Sequence, residues 1–328
     1  MQIPIPEIRQ TLIQKLLHRW LGQEIAQVTA EEYLQWELMG KTSHGLMAFP
    51  SILTKYSSER KHEMKELKRT DAMIFIDADE LPGAYVGKKL ADDLVQMADK
   101  QGIAVGHVTN MITWLRPGTI ARYIADKWMV TYVINNGGSP MIAPPGGYDP
   151  VVGTNPIGIG IPTKDESIVA DMATSKRAWG EVRKAQAQWT DLPAQCFYDD
   201  QGNYAVDPSD AHSAIAIGDY KWFALSMFIE VMVGSFLGRD MLLEQQKWDY
   251  RLITRWGSIV VFNPALTSTN DAFVAANSQL INDIKSTRTI PWHNITIHGE
   301  RASSIARENE ARGSLEIDEE LWGSIQGQ

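Results

Sequence analysis

Val152-Gly-Thr-Asn-Pro-Ile-Gly-Ile-Gly-Ile-Pro162 is an apolar stretch that glycine and proline interrupt repeatedly. Glycine has no Cβ, so a strand of this kind lets another group approach its backbone closely. A second apolar stretch, Ile168-Val-Ala-Asp171, ends on a carboxylate, and Thr174 and Ser175 follow it. Polar groups at the ends of two successive strands predict one wall of a site for a polar ligand. The alternative is that these residues only form turns at the strand ends.

The composition is that of an ordinary globular protein, with 328 residues, 44% of them hydrophobic and 22% charged. A formal net charge of -9 argues against nucleic acid or an anionic membrane as a partner. The single cysteine, Cys196, excludes an internal disulfide and a cysteine-rich zinc site. The histidines show no metal-ligand spacing, so we expect no metal. The first ten residues lack the apolar core of an export signal, and we expect a cytoplasmic protein.

Helices and strands alternate along the chain, which predicts an α/β fold. The periodicity predicts helices over 8–20, 29–39, 88–100 and 118–127, and strands over 72–77, 102–110 and 128–135. Thr29 and Glu32 have the spacing of a capping box at the start of the second helix. The charged segment 57–69 is predicted to be a helix or a linker. The apolar segment 222–237 is too short and too polar, with Glu230, to cross a membrane, and is predicted to be a buried helix.

Two residues stand out as candidates on local pattern alone. His44 follows the helix-ending Gly40 in a bend, where an imidazole is exposed, although a lone histidine is more often structural than catalytic. Lys221 lies at the start of the apolar helix, where free N–H groups favour an anion, or where it only solvates the helix end. Gly158 and Gly160 are not part of a G-x-G-x-x-G motif, because position 163 is threonine, so a standard dinucleotide fold is not supported.

Six stretches occur in a fixed order: Ser43-His-Gly45, Ala143-Pro-Pro-Gly-Gly147, Gly153-Thr-Asn-Pro156, Asp171-Met-Ala-Thr-Ser175, Gly218-Asp-Tyr-Lys221 and Gly299-Glu-Arg301. Together they resemble the malate/L-lactate dehydrogenase-type family of NAD(P)-dependent oxidoreductases. That family includes sulfolactate and ureidoglycolate dehydrogenases and piperideine/pyrroline-2-carboxylate reductases. The resemblance depends on the ordered set and not on any one stretch, and it extends from about residue 5 to 325.

The resemblance implies an α/β fold with a non-Rossmann mixed sheet that binds NAD or NADP, with NADPH favoured. It implies a helical lobe made of residues 1–70 and 285–328, and a cofactor-binding and catalytic lobe made of residues 71–284. It also implies a homodimer that acts on a small molecule, with its sites near the subunit boundary.

The resemblance also implies hydride transfer to the carbon of a C=O or C=N bond. His44 matches the family's proton donor, Asp171 matches the carboxylate that holds that imidazole, and Ser43 is expected to orient the substrate or the nicotinamide amide. A group with a pKa near neutrality is suited to protonate the heteroatom as hydride arrives. Our central expectation is therefore that the imidazole of His44 and the carboxylate of Asp171 meet beside a bound nicotinamide ring.

The cofactor contacts implied by the resemblance come from three parts of the chain. Lys221 is expected to contact phosphate, and Arg301 to lie near the adenosine end. The wall against the nicotinamide and its ribose is expected to consist of Thr154, Asn155, Pro156, Thr174 and Ser175.

Two positions depart from the family pattern. Ala48 occupies the place of an arginine that binds the substrate carboxylate, and Thr113 the place of a second histidine. Either Arg116 binds the carboxylate instead, as in a conventional 2-hydroxy-acid dehydrogenase, or the substrate is a cyclic imine in a more apolar pocket. That pocket would be lined by Trp114 with Met47 and Phe49. A third interpretation is a catalytically silent relative that only binds the nucleotide.

Overall fold

The computed structural model describes residues 1–19, 21–56, 61–112, 114, 116–239 and 254–327. The described helices are α1 (Ile5–Leu17), α2 (Gln23–Leu38), α3 (Phe49–Leu53), α4 (Gly83–Gln101), α5 (Pro117–Ala125), α6 (Gly180–Gln188), α7 (Tyr220–Val233), α8 (Asn270–Lys285), α9 (Glu300–Arg312) and α10 (Glu319–Gly327). The described strands are β1 (Gln2–Pro4), β2 (Lys65–Arg69), β3 (Met73–Asp77), β4 (Ile103–Met111), β5 (Val130–Asn135), β6 (Ile157–Ile161), β7 (Ile168–Met172), β8 (Phe197–Tyr198), β9 (Ser213–Ala214), β10 (Arg255–Phe262) and β11 (Ser314–Glu316).

A seven-stranded mixed sheet has the order β2-β3-β4-β10-β5-β6-β7. Strands β3 and β4 run parallel, with Met73 opposite Val105, and the other neighbouring pairs in this sheet are antiparallel. The doubly wound dinucleotide fold uses a largely parallel sheet, so this sheet differs from it. The predicted mixed α/β fold is thus confirmed.

Gly158 and Gly160, in the 152–162 stretch, let helix α5 pack closely on the strand. A Cβ at Gly158 would lie 2.7 Å from the carbonyl oxygen of Pro117, and one at Gly160 would lie 2.2 Å from that of Ala121. Helix α5 therefore packs directly on strand β6, and its first turn comes close to the neighbouring strand β7. In the register of the two strands, Gly158 pairs with Asp171. At Gly158 and Gly160 the close approach is thus made by a helix and not by a ligand, and it brings the start of α5 to Asp171.

Two apolar cores contain most of the elements around this region. One, the helical core, combines side chains from residues 3–56 with Ala306, Leu315, Ile317, Trp322 and Ile325, so both chain ends contribute to it. The other lies between the sheet and helices α4 and α5. In this second core Gly106 lets Leu90 and Leu94 contact β4, since a Cβ there would be 2.7 to 2.9 Å from them. The division of the chain at residues 70 and 285 remains a prediction.

Three predictions about elements are wrong. Thr29 is buried in the middle of α2, which begins at Gln23, so Thr29 and Glu32 do not form a capping box. The charged segment contains strand β2, while residues 57–60 lie outside the described part of the chain. Helix α7 is not deeply buried: its apolar side chains Met227, Phe228 and Val231 are exposed. Of the described helices, the segment Tyr220–Leu237 is long and apolar enough by composition to cross a membrane.

Candidate active site

The loop after α2 holds His44 in a defined position. Its backbone N–H donates to the carbonyl oxygen of Lys41 at 2.9 Å, and the next turn is fixed by Glu37, whose carboxylate accepts the N–H of Leu46 at 2.8 Å. A Cβ at Gly45 would lie 2.4 Å from that carboxylate, so the turn requires glycine. Ser43 Oγ lies 3.0 Å from His44 Nδ1. The serine thus orients the imidazole, which leaves Nε2 for a ligand.

The surroundings of His44 disfavour its protonated form. Burial lowers the pKa of His44 to about 4, with further lowering by the positive charges of Arg116, Arg183 and Lys41. Arg183 belongs to α6, whose first residue, Gly180, lies close to Ser43. In this structure His44 is therefore a neutral imidazole at pH 7.

Asp171, at the end of β7, is paired with an arginine and not with His44. Its Oδ2 lies 2.7 Å from Arg116 Nε, and its backbone oxygen accepts from Arg116 Nη2 at 3.4 Å. Among the described residues, the hydrogen bond of the His44 ring is to Ser43, so the expected direct bond between Asp171 and His44 is absent. The reason is the close approach of α5, because a Cβ at Gly118 would lie 2.7 Å from Asp171. Burial raises the pKa of Asp171, and the charge of Arg116 opposes this rise.

Arg116 is held on two sides. Asp171 binds its Nε edge, and the ring of Trp36 lies 4.6 Å from the guanidinium carbon in a cation–π contact. Arg116 is the residue before Pro117, whose preset φ begins α5, so its backbone is fixed at the helix start. Its Nη1 makes no hydrogen bond within the part of the chain that the structure describes. That nitrogen is available to a ligand.

A cavity of about 470 Å³ opens beside this pair. Arg116, Asp171 and Trp36 line it together with Lys41 and Arg301. Lys41 and Arg301 form no ion pair with any described residue, whereas Glu31 on the same wall is neutralised by Arg9 at 2.9 Å. Burial and the charges of Arg116 and Arg301 lower the pKa of Lys41. The basic cavity, as we name this space lined by Lys41, Arg116 and Arg301, therefore carries excess positive charge in a protein of net charge -9.

The substrate-pocket residues expected from the sequence are placed differently. Trp114 is 1% exposed and packs in the core between Gly87 and Gly257, so it does not line an apolar pocket. Phe49 is fully buried against Tyr33, while Met47 is exposed. Ala48 packs at the margin of the helical core, and Thr113 lies outside the described residues.

Two of the segments predicted to form the nicotinamide wall lie together in the structure. Thr174 donates its hydroxyl and its backbone N–H to the carbonyl oxygen of Thr154, both at 2.9 Å, and Pro156 follows at the start of β6. Asn155, however, is fully buried and faces the protein: its amide donates to Ser226 O and Glu230, and its oxygen accepts from Gly137 N. Asn155 therefore holds α7 and the Gly137 turn in place, and its side chain is not part of the wall.

The region around Thr154 fits a ligand rich in hydrogen-bonding groups. Two buried polar atoms there, Ser175 Oγ and Asn136 Nδ2, have no hydrogen-bond partner within the described ranges. Buried polar atoms normally have a hydrogen-bond partner. Two such atoms without one, in segments that meet at Thr154, fit a site for a polar ligand such as the nicotinamide ribose. Lys221 is exposed at the second residue of α7, and Arg301 is exposed at the second residue of α9. Arg301 lines the same basic cavity as Asp171.

Four residues of this region were missed from the sequence. Lys41 and Arg183 act on His44, and Trp36 and Glu32 lie behind Arg116. Lys41 could have been found, because it is a cation three residues before His44 in the same loop. The others could not, since their contacts are made by segments distant in the sequence.

Comparison with known proteins agrees with this architecture. The family model described as malate/L-lactate dehydrogenase matches residues 3–326. A malate/(S)-sulfolactate dehydrogenase from Methanothermus fervidus is 28% identical over 96% of this chain and 94% of its own length. A ureidoglycolate dehydrogenase (NAD(+)) from Escherichia coli O157:H7 is 24% identical over 98% of this chain and 94% of its own length.

Among solved structures, sulfolactate dehydrogenase from Methanocaldococcus jannaschii has the same fold. It matches with a TM-score of 0.91 at 24% identity, over 100% of this chain and 96% of that one. The chain therefore belongs to the malate/L-lactate dehydrogenase family and is an oxidoreductase that uses a nicotinamide cofactor.

Proposed function

We propose that the protein interconverts a small 2-hydroxy acid and its 2-oxo acid, and that Arg116 binds the substrate carboxylate. The observation that carries this proposal is the position of Arg116, which is fixed by Asp171 and Trp36 on the wall of the basic cavity. A guanidinium held in this way loses little side-chain entropy on binding, so its remaining N–H groups are well suited to a carboxylate.

The charge balance of the cavity supports an anionic ligand. Asp171 neutralises one of its cations, while Lys41 and Arg301 have no acidic partner among the described residues. Bringing like charges together costs free energy, which an anion recovers when it binds. In this proposal Arg116 binds the substrate carboxylate, the role that the resemblance assigns to an arginine at the position of Ala48.

His44 exchanges the proton in this proposal. When the hydroxy acid is oxidised, neutral His44 accepts the hydroxyl proton at Nε2, while Ser43 keeps Nδ1 engaged. In the reverse direction His44 must carry a proton, which the nearby cations oppose. A carboxylate bound beside Arg116 offsets those charges and raises the pKa of His44, so substrate binding prepares the proton donor.

A bound nicotinamide supplies or accepts the hydride. The residues that we expect to hold it are Thr154, Pro156, Thr174 and Ser175, with Lys221 at a phosphate. Arg301, by its place on the basic cavity, is assigned to the substrate. We favour NADPH over NADH, and a direct comparison of the two affinities decides between them.

A cyclic imine remains the second candidate substrate. The low pKa of His44 favours it, because a protonated imine already carries the proton that neutral His44 cannot donate. The cations of the basic cavity oppose it, because they repel the positive charge of that iminium. The two candidates therefore differ in charge at the reacting nitrogen or oxygen, and a substrate screen separates them.

The test begins with fluorescence titration of the protein with NADH and NADPH. A screen of 2-oxo acids and cyclic imines for loss of the reduced cofactor follows, with Arg116→Gln as the matched variant. We expect turnover of a 2-oxo acid with a KM about a hundredfold higher in the variant, since a charged hydrogen-bonded partner is worth about 1.5–3 kcal/mol. Turnover of imines alone, or a KM that Arg116→Gln leaves unchanged, would contradict the role of Arg116.

We also propose that two copies of the chain pair through the apolar face of α7. On this face Met227, Phe228 and Val231 are exposed. The opposite face packs on the sheet through Ile229 and Val233, so lipid could surround only half of the helix. A surface of this kind in a protein of this fold is best covered by a second copy.

A further inference from the structure

A buried acid behind the active site has no part in the reaction described above. Glu32 lies in α2 and is only 6% exposed. Its Oε1 accepts the indole N–H of Trp36 at 2.7 Å, and the nearby Thr119 side chain also helps to lower its pKa. Burial raises the pKa of Glu32 to about 7, and the negative charge of Asp171 contributes to the rise. Buried carboxylates are rare unless they are paired with a cation or have a function.

An unbroken series of contacts connects Glu32 to the cavity. The same Trp36 that donates to Glu32 stacks on Arg116 at 4.6 Å, and Arg116 pairs with Asp171 at 2.7 Å. Two carboxylates thus share the field of one guanidinium, one in direct contact and one behind the indole. With Glu32 ionised, these three groups sum to one negative charge, and with Glu32 protonated they sum to zero.

We propose that Glu32 is a positioning residue that takes up a proton when an anion binds beside Arg116. The proposal rests on the proposed function, because it requires the substrate carboxylate at Arg116. An anion there adds a negative charge near Glu32, so ionised Glu32 and the bound anion disfavour each other. Linkage is reciprocal: the protonated form binds the anion more tightly, and the bound anion favours protonation.

The other charged groups near α2 have partners of their own or do not act on Glu32. From α1, Arg9 pairs with Glu31, and from α4, Lys89 pairs with Glu24. From α9, the charge of Arg301 acts on Lys41 and lowers its pKa. On α2 itself the neighbouring Tyr33 is buried and neutral, since burial raises the pKa of its hydroxyl far above neutrality. The charged groups that act on Glu32 are thus Asp171, from β7, and Arg116, at the start of α5.

The proposal predicts a specific pH dependence. Below pH 7 Glu32 is neutral and affinity for a carboxylate is highest, and above pH 7 the affinity falls until it levels off about tenfold lower. The pKa of His44 is about 4 without ligand, and an anion beside Arg116 raises it. His44 can therefore also take up protons in this window, and the Glu32→Gln variant separates the two contributions. A residue with a purely structural role would not produce this step in affinity.

Calorimetry of oxamate binding to the protein saturated with the reduced cofactor that it binds more tightly, NADPH in our proposal, tests the role of Glu32. The titration is repeated in two buffers of different ionisation enthalpy, which gives the number of protons taken up for each anion bound. At pH 7.5 we expect the wild type to take up about half a proton more than Glu32→Gln. We expect Glu32→Gln to keep the higher affinity up to pH 9. Glu24→Gln, on the same helix but exposed and away from the cavity, is the matched control and should behave as the wild type.

The outcomes are distinct from those that test the proposed function. Oxamate binding with the same proton uptake in the wild type and in Glu32→Gln would overturn the role of Glu32 and leave Arg116 as the carboxylate site. Absence of oxamate binding would overturn the anion site and the coupling together. If Glu32→Gln does not fold, Trp36→Phe serves instead: it keeps a ring over Arg116 but removes the N–H that holds the pKa of Glu32 down. The step in affinity should then move to higher pH, and an unmoved step would contradict the proposal.

Discussion

Replacing Glu32 by glutamine should stabilise the protein at neutral pH and above, but not in mild acid. In the folded protein the pKa of Glu32 is raised from 4.5 to about 7, chiefly because the carboxyl group is buried. The folded state therefore binds the proton more tightly than the unfolded state. For such a group the stability of the wild type falls as pH rises from about 4.5 to about 7, and stays low above that.

The size of this effect follows from the change in proton affinity. Each tenfold change is worth about 1.4 kcal/mol, so ionised Glu32 costs about 3 kcal/mol above pH 7. Glutamine has no charge to desolvate, and its carbonyl oxygen can still accept the N–H of Trp36. The difference in unfolding free energy between Glu32→Gln and the wild type should thus grow by about 2.5 kcal/mol from pH 5 to pH 8, since pH 5 is already above the unfolded pKa. For a chain of this size that corresponds to about 4 °C in Tm.

Urea denaturation at pH 5, 6, 7 and 8, at constant ionic strength, measures this difference. Glu31→Gln is the control from the same helix. Glu31 is half-exposed and paired with Arg9, which lowers its pKa, so it is ionised at every pH from 6 to 8. Its difference from the wild type should be constant over that range. A constant difference for Glu32→Gln as well, from pH 5 to 8, would refute a Glu32 that titrates near neutrality.

Three further predictions concern the reaction, the cofactor and the assembly. His44→Ala should abolish turnover with less than about a threefold change in cofactor Kd, because the imidazole moves a proton and does not hold the cofactor; steady-state kinetics and fluorescence titration measure both. Lys221→Ala should raise the cofactor Kd about tenfold and leave kcat nearly unchanged, as expected for a lost phosphate contact. A large loss of kcat in Lys221→Ala, or a large rise of cofactor Kd in His44→Ala, would contradict the roles given to these two residues. Phe228→Glu should convert a dimer into monomers in analytical ultracentrifugation, since a charge on an apolar interface is costly; a wild type that is already monomeric, or that requires detergent, would contradict the pairing of two copies.

The elements that the sequence predicted correctly are those that depend on local pattern. The helical spacing of Leu90 and Leu94 predicts a helix over 88–100, and α4 spans Gly83–Gln101 and ends at Gly102, which has φ +82°. The position of β10 between β4 and β5 could not be predicted, since those strands lie more than 100 residues before it in the chain. Helix α7 was predicted to be buried because hydropathy counts apolar side chains and contains no information about what covers them.

In the candidate site, too, contacts between neighbours in the chain could be predicted and contacts between distant segments could not. The proximity of Ser43 and His44 follows from their adjacency in the chain, and the strand end at Asp171 follows from its apolar run. The partner of Asp171 could not be derived, because Arg116 reaches it across 55 residues through the packing of α5 on β6. Asn155 lies in a motif that resembles a ligand wall, yet only the coordinates show that its amide faces α7.

Restoring an arginine at position 48 tests whether the carboxylate site has moved to Arg116. Ala48 packs at the margin of the helical core and caps the short helix α3, four residues after His44. An arginine there would add a positive charge near His44, whose pKa is already lowered by neighbouring cations. With Arg116 present, we expect Ala48→Arg to change kcat/KM for the 2-oxo acid by less than about threefold, or to lower it.

The double variant makes this test decisive. In Arg116→Gln the carboxylate has lost its partner, so an arginine at position 48 can restore binding only if both positions reach the same anion. In the Arg116→Gln background we expect Ala48→Arg to lower the raised KM part of the way towards the wild-type value. In the wild-type background we expect no gain, a non-additive result typical of two residues that share one ligand. A large gain from Ala48→Arg alone would show that Arg116 does not bind the carboxylate, and that its ion pair with Asp171 only stabilises the start of α5.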